Sequence, residues 1–390
     1  MPPYTQLLPV LALTQSAWGA TLIASHFSGG LYTLSLTAAN NSGTLSITSQ
    51  TTGCGTTPAW LEVYADTRQL YCFDESWWGS GVIAEYDVAS DGRLSLTSQG
   101  RTAGNSVHGS LYGGEDGRSF VATAEYSPST ITTYTMPLTD SSLLHSEKFT
   151  MPQQGPHPRQ DAPHPHEVHL DPTGKFILVP DLGADLIRVF KVNAESGELA
   201  LCGEANTDPG DGPRHVKFWK SADGLEKVYS VNELGNSVSA WDVAYPDDES
   251  GCLTLNKTQT VSTYAPGTQG GSMTKAAEIR VIGNFLYASN RADQTFGSEQ
   301  DSIAIYTIDP STGEIAWMEA ANSYSYYPRT FEANQDGTLV AVGGQTSSNV
   351  AIIARDPATG KLGELVASIQ VGQKGRAGEE DGLSAVVWVE

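Results

Sequence analysis

One short turn recurs along the chain at a nearly constant interval, and no other feature restricts the fold as strongly. Its copies are Ser42-Gly43-Thr44-Leu45, Asp91-Gly92-Arg93-Leu94, Asp140-Ser141-Ser142-Leu143, Ser196-Gly197-Glu198-Leu199, Ser250-Gly251-Cys252-Leu253, Thr312-Gly313-Glu314-Ile315 and Thr359-Gly360-Lys361-Leu362. In the third copy Ser stands where the others have Gly. The mean spacing is about 53 residues, close to the period of propeller blades.

Strand-like runs precede each turn. In the fourth unit these are 166–170, 176–180 and 187–192, with Asp171-Pro172-Thr173-Gly174 turning between the first two and 199–203 following as an outer strand. Short alternating runs separated by turn residues are antiparallel hairpin signals. Four strands in each of seven units predict an all-β, seven-bladed propeller. The first unit has only three strands near the amino terminus, at 21–25, 31–36 and 44–48. Its inner strand is expected from the carboxyl terminus, at 384–389, which closes the ring and removes an exposed sheet edge.

Composition bounds what such a ring does. Lys and Arg number 22 against 44 Asp and Glu, a net charge of −22, which argues against nucleic-acid partners. A hydrophobic share of 39% is too high for an acidic disordered chain. No run of apolar residues is long enough for a membrane-spanning helix.

Residues 1–19 are expected to be a secretory signal peptide. Residues 7–13 (LLPVLAL) form a short apolar core, and Ala17-Trp18-Gly19 offers small residues at the cleavage positions, although a basic leading segment is missing. The propeller domain then spans 20–390. Asn40-Asn41-Ser42 and Asn256-Lys257-Thr258 are glycosylation sequons. The four cysteines are compatible with two disulfides outside the cell, for which Cys54–Cys72 and Cys202–Cys252 are the local pairings. Secretion is the localisation these features imply.

In a blade, the start of the inner strand and the end of the second strand lie together, because neighbouring strands run antiparallel. Around the ring these positions converge on one channel mouth. Inner-strand starts carry His108, His166, Arg214 and Arg329; second-strand ends carry Glu75, Glu125, Asp181, Glu233 and Arg291. Ionisable residues at equivalent positions of several blades favour a polar substrate site over a structural ion-pair ring. The set includes no CxxC or other metal-ligand spacing, so neither a metal nor another cofactor is expected.

At these residues the chain resembles the seven-bladed lactonases, which comprise fungal 3-carboxy-cis,cis-muconate cyclase and bacterial 6-phosphogluconolactonase. The resemblance is carried by His166-Glu167-Val168-His169-Leu170-Asp171-Pro172, Gly212-Pro213-Arg214-His215-Val216, Asn232-Glu233-Leu234-Gly235-Asn236, Tyr287-Ala288-Ser289-Asn290-Arg291 and Tyr327-Pro328-Arg329. It spans roughly residues 20–390 and places the cyclases' functional His, two Arg and Glu on His166, Arg214, Glu233 and Arg291. Imidazole suits proton transfer near neutral pH, and guanidinium suits a substrate carboxylate or a developing oxyanion. Either His166 or Glu233 could then activate water. Arg329, Glu125, His108 and Asp181 are expected to contact substrate.

The family's named members serve cytosolic chemistry, whereas the leader, sequons and cysteines point outside the cell. Extracellular fungal relatives include aldonolactone hydrolases, and a neutral sugar lactone suits a mouth rich in Glu75, Glu125 and Asp181. The first expectation is therefore a secreted lactonase acting on lactones such as cellobionolactone or gluconolactone. A muconate-lactonising cyclase, or a glycosylated adhesin using the ring as a binding platform, are the alternatives. The expected partner is a small lactone or muconate, with no nucleic acid and no membrane, and the sequence leaves the oligomeric state open.

Overall fold

Alternating side chains on a strand that is covered on both sides must be apolar on both sides, and the middle strands of every unit have this character. All six residues of the strand Phe176–Asp181 are buried, whereas the outer strand Thr254–Ser262 exposes every second residue. The computed structural model describes residues 18–39 and 42–389, and places them in seven four-stranded antiparallel sheets with no helix among the described residues. The sheets are the blades of a propeller, numbered here from the amino terminus.

Blade 1 closes the ring as expected. The strand Leu383–Trp388 pairs with Trp18–His26 through Leu22 opposite Trp388 and Ala24 opposite Val386. Gly30–Ala39 and Ser42–Thr51 complete the sheet. Most of the expected leader lies outside the described residues. Its last two residues, Trp18 and Gly19, already pair with Ala38 and Thr37 at the start of the first strand.

Blades meet face to face through seven hydrophobic clusters, each lying between two consecutive blades. Phe176, Leu178 and Val189 of blade 4, for example, pack on Val216, Val228 and Trp241 of blade 5. The recurring turn has a packing reason. Gly197 has φ 73°, and a Cβ there would stand 2.4 Å from Cδ1 of Phe120 in the preceding blade. Gly360 repeats this, with φ 71° and Phe285 Cδ1 at 2.3 Å. Both a left-handed backbone and a close approach thus require glycine. These two turns also accept a hydrogen bond through the glycine carbonyl from the preceding blade, Tyr112 Oη at 2.5 Å to Gly197 and Tyr287 Oη at 2.6 Å to Gly360.

The inner strand of blade 4 departs from expectation. Only His169–Leu170 is regular strand, joined by one isolated bridge between Pro165 and Asp181. Four residues of the inner strand there span three of its neighbour, which is a β-bulge. His166 therefore lies in the irregular stretch, outside a ladder.

Both expected disulfides are formed, Cys54–Cys72 and Cys202–Cys252. The first ties the connector entering blade 2 to that blade's second strand; the second ties the outer edges of blades 4 and 5. The latter closes the longer loop, a separation of 50 against 18 residues. Replacing Cys202 and Cys252 together by Ser should lower stability by roughly 2–4 kcal/mol. Chemical denaturation with and without the pair measures this, and equal stability of the two proteins would contradict it.

Candidate active site

The bulge of blade 4 is one of seven. At the start of each inner strand the pairing register shifts by one residue, at Ser384, Ala59, Val107, His166, Arg214, Ala277 with Glu278, and Arg329 in blades 1 to 7. A bulge re-aims the extra residue, here towards one mouth of the channel. The facing position is the residue just after the last pair of the inner ladder. In six blades it is Phe27, Glu75, Tyr126, Leu182, Glu233 or Gln345, and its N–H donates to the carbonyl two residues before the bulge. Arg291 fills the position in blade 6, after Asn290 opposite Ala276, and here one further pair, with Lys275, extends the ladder.

These two rings of positions enclose a cavity of about 120 Å³ lined by Glu75, Trp77, Val107, Tyr126, Arg159, His166, Glu233, Lys275, Arg291, Arg329 and Glu380. Glu233 is its electrostatic centre. One carboxylate oxygen lies 2.7 Å from Arg291 Nη2 and 3.0 Å from Arg214 Nε, while the other pairs with Arg159 Nη1. Burial opposes charge on Glu233, but Arg159, Arg291 and Arg214 outweigh it and hold the carboxyl well below its usual range. Arg214 is itself oriented by the carbonyl of Ala277 at 2.9 Å, and Arg291 by that of Ala276 at 3.0 Å. Burial and the nearby Arg291 push the Arg214 guanidinium down to about 9, which leaves it charged at neutral pH.

His166 is buried, and its Nδ1 has no hydrogen-bond partner in the protein. Burial, then Arg214 and His215, keep the imidazole well below its ordinary pKa, so it is neutral and able to accept a proton. Across the cavity Arg329 Nη2 lies 3.2 Å from Glu75 and its Nη1 3.6 Å from Glu380. Burial raises the Glu75 carboxyl to about 7 against the pull of Arg329. Five cationic side chains, Arg159, Arg214, Arg291, Arg329 and Lys275, thus surround or line the cavity with three carboxylates, Glu75, Glu233 and Glu380.

The structure brings His166, Arg214, Glu233, Arg291 and Arg329 together, and separates the other three expected residues from them. Glu125 and Asp181 are the last paired residues of their strands, one position before the mouth, so their side chains point to the other face. Glu125 accepts hydrogen bonds from Thr130 at 2.8 Å and Thr132 at 2.7 Å. Asp181 accepts the His164 N–H at 2.6 Å and pairs with Arg188 at 2.9 Å. His108 follows the bulge at Val107 and turns into the channel, its ring 4.1 Å from that of Trp60 and its Nε2 3.6 Å from Glu167. With Glu125 and Asp181 outside the cavity, a carboxylate-rich mouth no longer argues for a neutral substrate.

Tyr126 and Arg159 were not among the expected residues. An acid or amide immediately before the mouth residue is common to Asp74-Glu75, Glu125-Tyr126, Asp181-Leu182, Asn232-Glu233 and Asn290-Arg291, and aligning on that pair finds Tyr126. Arg159 arrives on the His- and Pro-rich connector 151–165, outside the repeat, and its Nη2 donates to Tyr126 Oη at 3.0 Å.

A propeller whose mouth joins a neutral imidazole to several guanidinium groups is equipped to activate water beside a carbonyl, which is the chemistry of ester and lactone hydrolases. The comparisons agree. The family described as "Lactonase, 7-bladed beta-propeller" matches residues 20–378, and the chain belongs to that family. A probable 6-phosphogluconolactonase of Arthroderma benhamiae is 33% identical over 325 residues, covering 82% of this chain and 79% of the relative. The 6-phosphogluconolactonase of Bacillus subtilis is 26% identical over 318 residues, covering 80% and 84%. Among solved structures, the periplasmic gluconolactonase of Pseudomonas aeruginosa has a TM-score of 0.77 at 25% identity, covering 96% of this chain and 99% of the other. The chain is accordingly an enzyme of the lactone-hydrolase class.

Glu233 is the counter-charge for three buried or half-buried guanidinium groups. Glu233→Ala should therefore destabilise the fold by roughly 3–5 kcal/mol, the usual loss when one partner of a buried ion pair is removed. Urea unfolding reads the change. A loss of about 1 kcal/mol or less, the scale of an exposed pair, would contradict this role.

Proposed function

We propose that this chain hydrolyses unphosphorylated, sugar-derived lactones of the gluconolactone or cellobionolactone type, and does so outside the cytoplasm. The observation that carries hydrolysis is the neutral His166, with an unpartnered Nδ1, set in one small cavity with a guanidinium cluster. The two disulfides, the leader-like segment 1–19 and the exposed sequon residue Asn256 support an extracytoplasmic setting. A relative named as a periplasmic gluconolactonase supports both the substrate and the compartment.

In this reading His166 takes a proton from water as the oxygen adds to the lactone carbonyl. Arg214 and Arg291 donate to the oxyanion that forms, held in place by Glu233. Glu233 is occupied by three guanidinium partners, so its role is positional. Glu75, raised to about 7, protonates the ring oxygen as the acyl C–O bond breaks. Proton transfer from His166 back to Glu75 through water restores both groups and leaves the aldonate, with its released proton, in solution.

The direct test measures turnover of glucono-1,5-lactone, cellobionolactone, 6-phosphogluconolactone and 3-carboxymuconate by the purified protein. Turnover of the first two is expected; activity confined to the phosphorylated lactone or to carboxymuconate would overturn the reading. Glu75 must be protonated to serve as the acid. The background-corrected rate should therefore fall as pH rises through about 7. Glu75→Gln should be slower and should lack that alkaline limb, and an unchanged pH profile would remove Glu75 from the mechanism.

A further inference from the structure

The hairpin that follows Glu75 is longer than its equivalents in blades 3, 4, 5 and 7 and is tipped with two indoles. Seven residues, Glu75–Gly81, join the second and third strands of blade 2, whereas four residues make the same connection in blades 3, 4, 5 and 7. The additional length carries Trp77 and Trp78 to the face of the ring where the reaction cavity opens. Trp78 is 93% exposed and Trp77 42% exposed. Two adjacent indoles exposed at the rim of a cavity form an apolar patch of the kind that marks a binding groove.

The loop is fixed at both ends. The Asn105 N–H donates to the Ser76 carbonyl at 3.2 Å, the Asn105 side chain to the Glu75 carbonyl at 3.3 Å, and the Thr102 N–H to the Gly81 carbonyl at 3.0 Å. Facing it is the segment before the last strand, held by Arg376 to Asp381 at 2.7 Å and by the Gln345 side chain to the Glu379 carbonyl at 3.0 Å. Between the two lies a groove of about 420 Å³, with Thr56, Thr57 and Ser76 alongside the indoles. Trp77 and Glu380 line both this groove and the reaction cavity, so the two adjoin.

We infer that this groove is a sugar subsite, in which Trp78 stacks on the second pyranose of a disaccharide lactone whose lactone ring occupies the reaction cavity. This rests on the lactone-hydrolase reading above and narrows its substrate to a glycosyl-aldonolactone. A pyranose presents an apolar C–H face and a rim of hydroxyls, which matches an indole face edged by the Thr56, Thr57 and Ser76 hydroxyls and the Glu379 and Glu380 carboxylates. A phosphoryl group is a poor occupant. The groove's cation, Arg376, is already paired with Asp381, and Glu379 and Glu380 would face the added negative charge. The volume falls within the range of about 300–1,000 Å³ usual for small-molecule sites, whereas about 120 Å³ at the mouth leaves little room for a second ring.

The test compares kcat/KM for cellobionolactone and glucono-1,5-lactone in the wild type, Trp78→Ala and Trp78→Tyr. Because Trp78 is exposed, its replacement leaves the fold intact. Trp78→Ala should lose roughly tenfold on cellobionolactone, mainly through KM, with gluconolactone unchanged, and Trp78→Tyr should recover most of the loss. Equal effects of Trp78→Ala on both lactones, or no effect on either, would overturn the subsite. Titration with cellobiose, followed by tryptophan fluorescence, reads the same groove without turnover. Saturable quenching that disappears in Trp78→Ala is expected, and its absence in the wild type would also overturn the subsite. If neither lactone is hydrolysed, the functional reading fails and the subsite stands or falls on this titration.

Discussion

Seven sheets form a closed ring only when each hides both faces against its neighbours, and the packing between blades is the constraint from which the remaining features follow. Apolar side chains on both faces of the middle strands supply the seven inter-blade clusters. Glycines in the outer turns let one blade approach the next, as at Gly197 against Phe120 and Gly360 against Phe285. The last seam is closed by pairing the two ends of the chain, Leu22 with Trp388 and Ile23 with Val387. At roughly 25 cal/mol for each Å² of apolar surface removed from water, such interfaces dominate the stability of the ring.

A rigid ring can hold charge that a softer fold could not. Glu233, Arg214 and Arg291 are almost fully buried, and each ion would be costly alone. Blades 5 and 6 and the connector before blade 4 each contribute to the Glu233 cluster, so the charges neutralise one another only when the ring is assembled. The same frame leaves His166 neutral and without a partner at Nδ1. A neutral imidazole set beside the cations, on the wall of an open cavity, is what separates a reactive site from a clasp between blades.

The period of the turn was enough to read the architecture, the strand count and the closing strand, because each blade repeats one physical solution. The site was legible to within one residue. His166, Arg214, Glu233, Arg291 and Arg329 fall on mouth positions, whereas Glu125, Asp181 and His108 sit one step away. On a strand that step reverses the direction of a side chain. The seven bulges cause the ambiguity, since a ladder shift leaves no mark in composition. Arg159 and Trp78 lie in segments that break the repeat, and no periodic argument could have placed them. The disulfides were readable because Cys54 and Cys72, and Cys202 and Cys252, were the local pairs.

Catalysis belongs to the two rings of mouth residues, at the bulges and at the positions facing them, and to none of the paired residues one step before them. Hydrolysis rates of glucono-1,5-lactone by His166→Ala and Glu125→Gln, each confirmed to be folded by circular dichroism, test it most directly. Loss of roughly a hundredfold or more in the first, the usual contribution of a general base, with a near-wild-type rate in the second, is the predicted result. Wild-type activity in His166→Ala, or an equal loss in Glu125→Gln, would contradict the account.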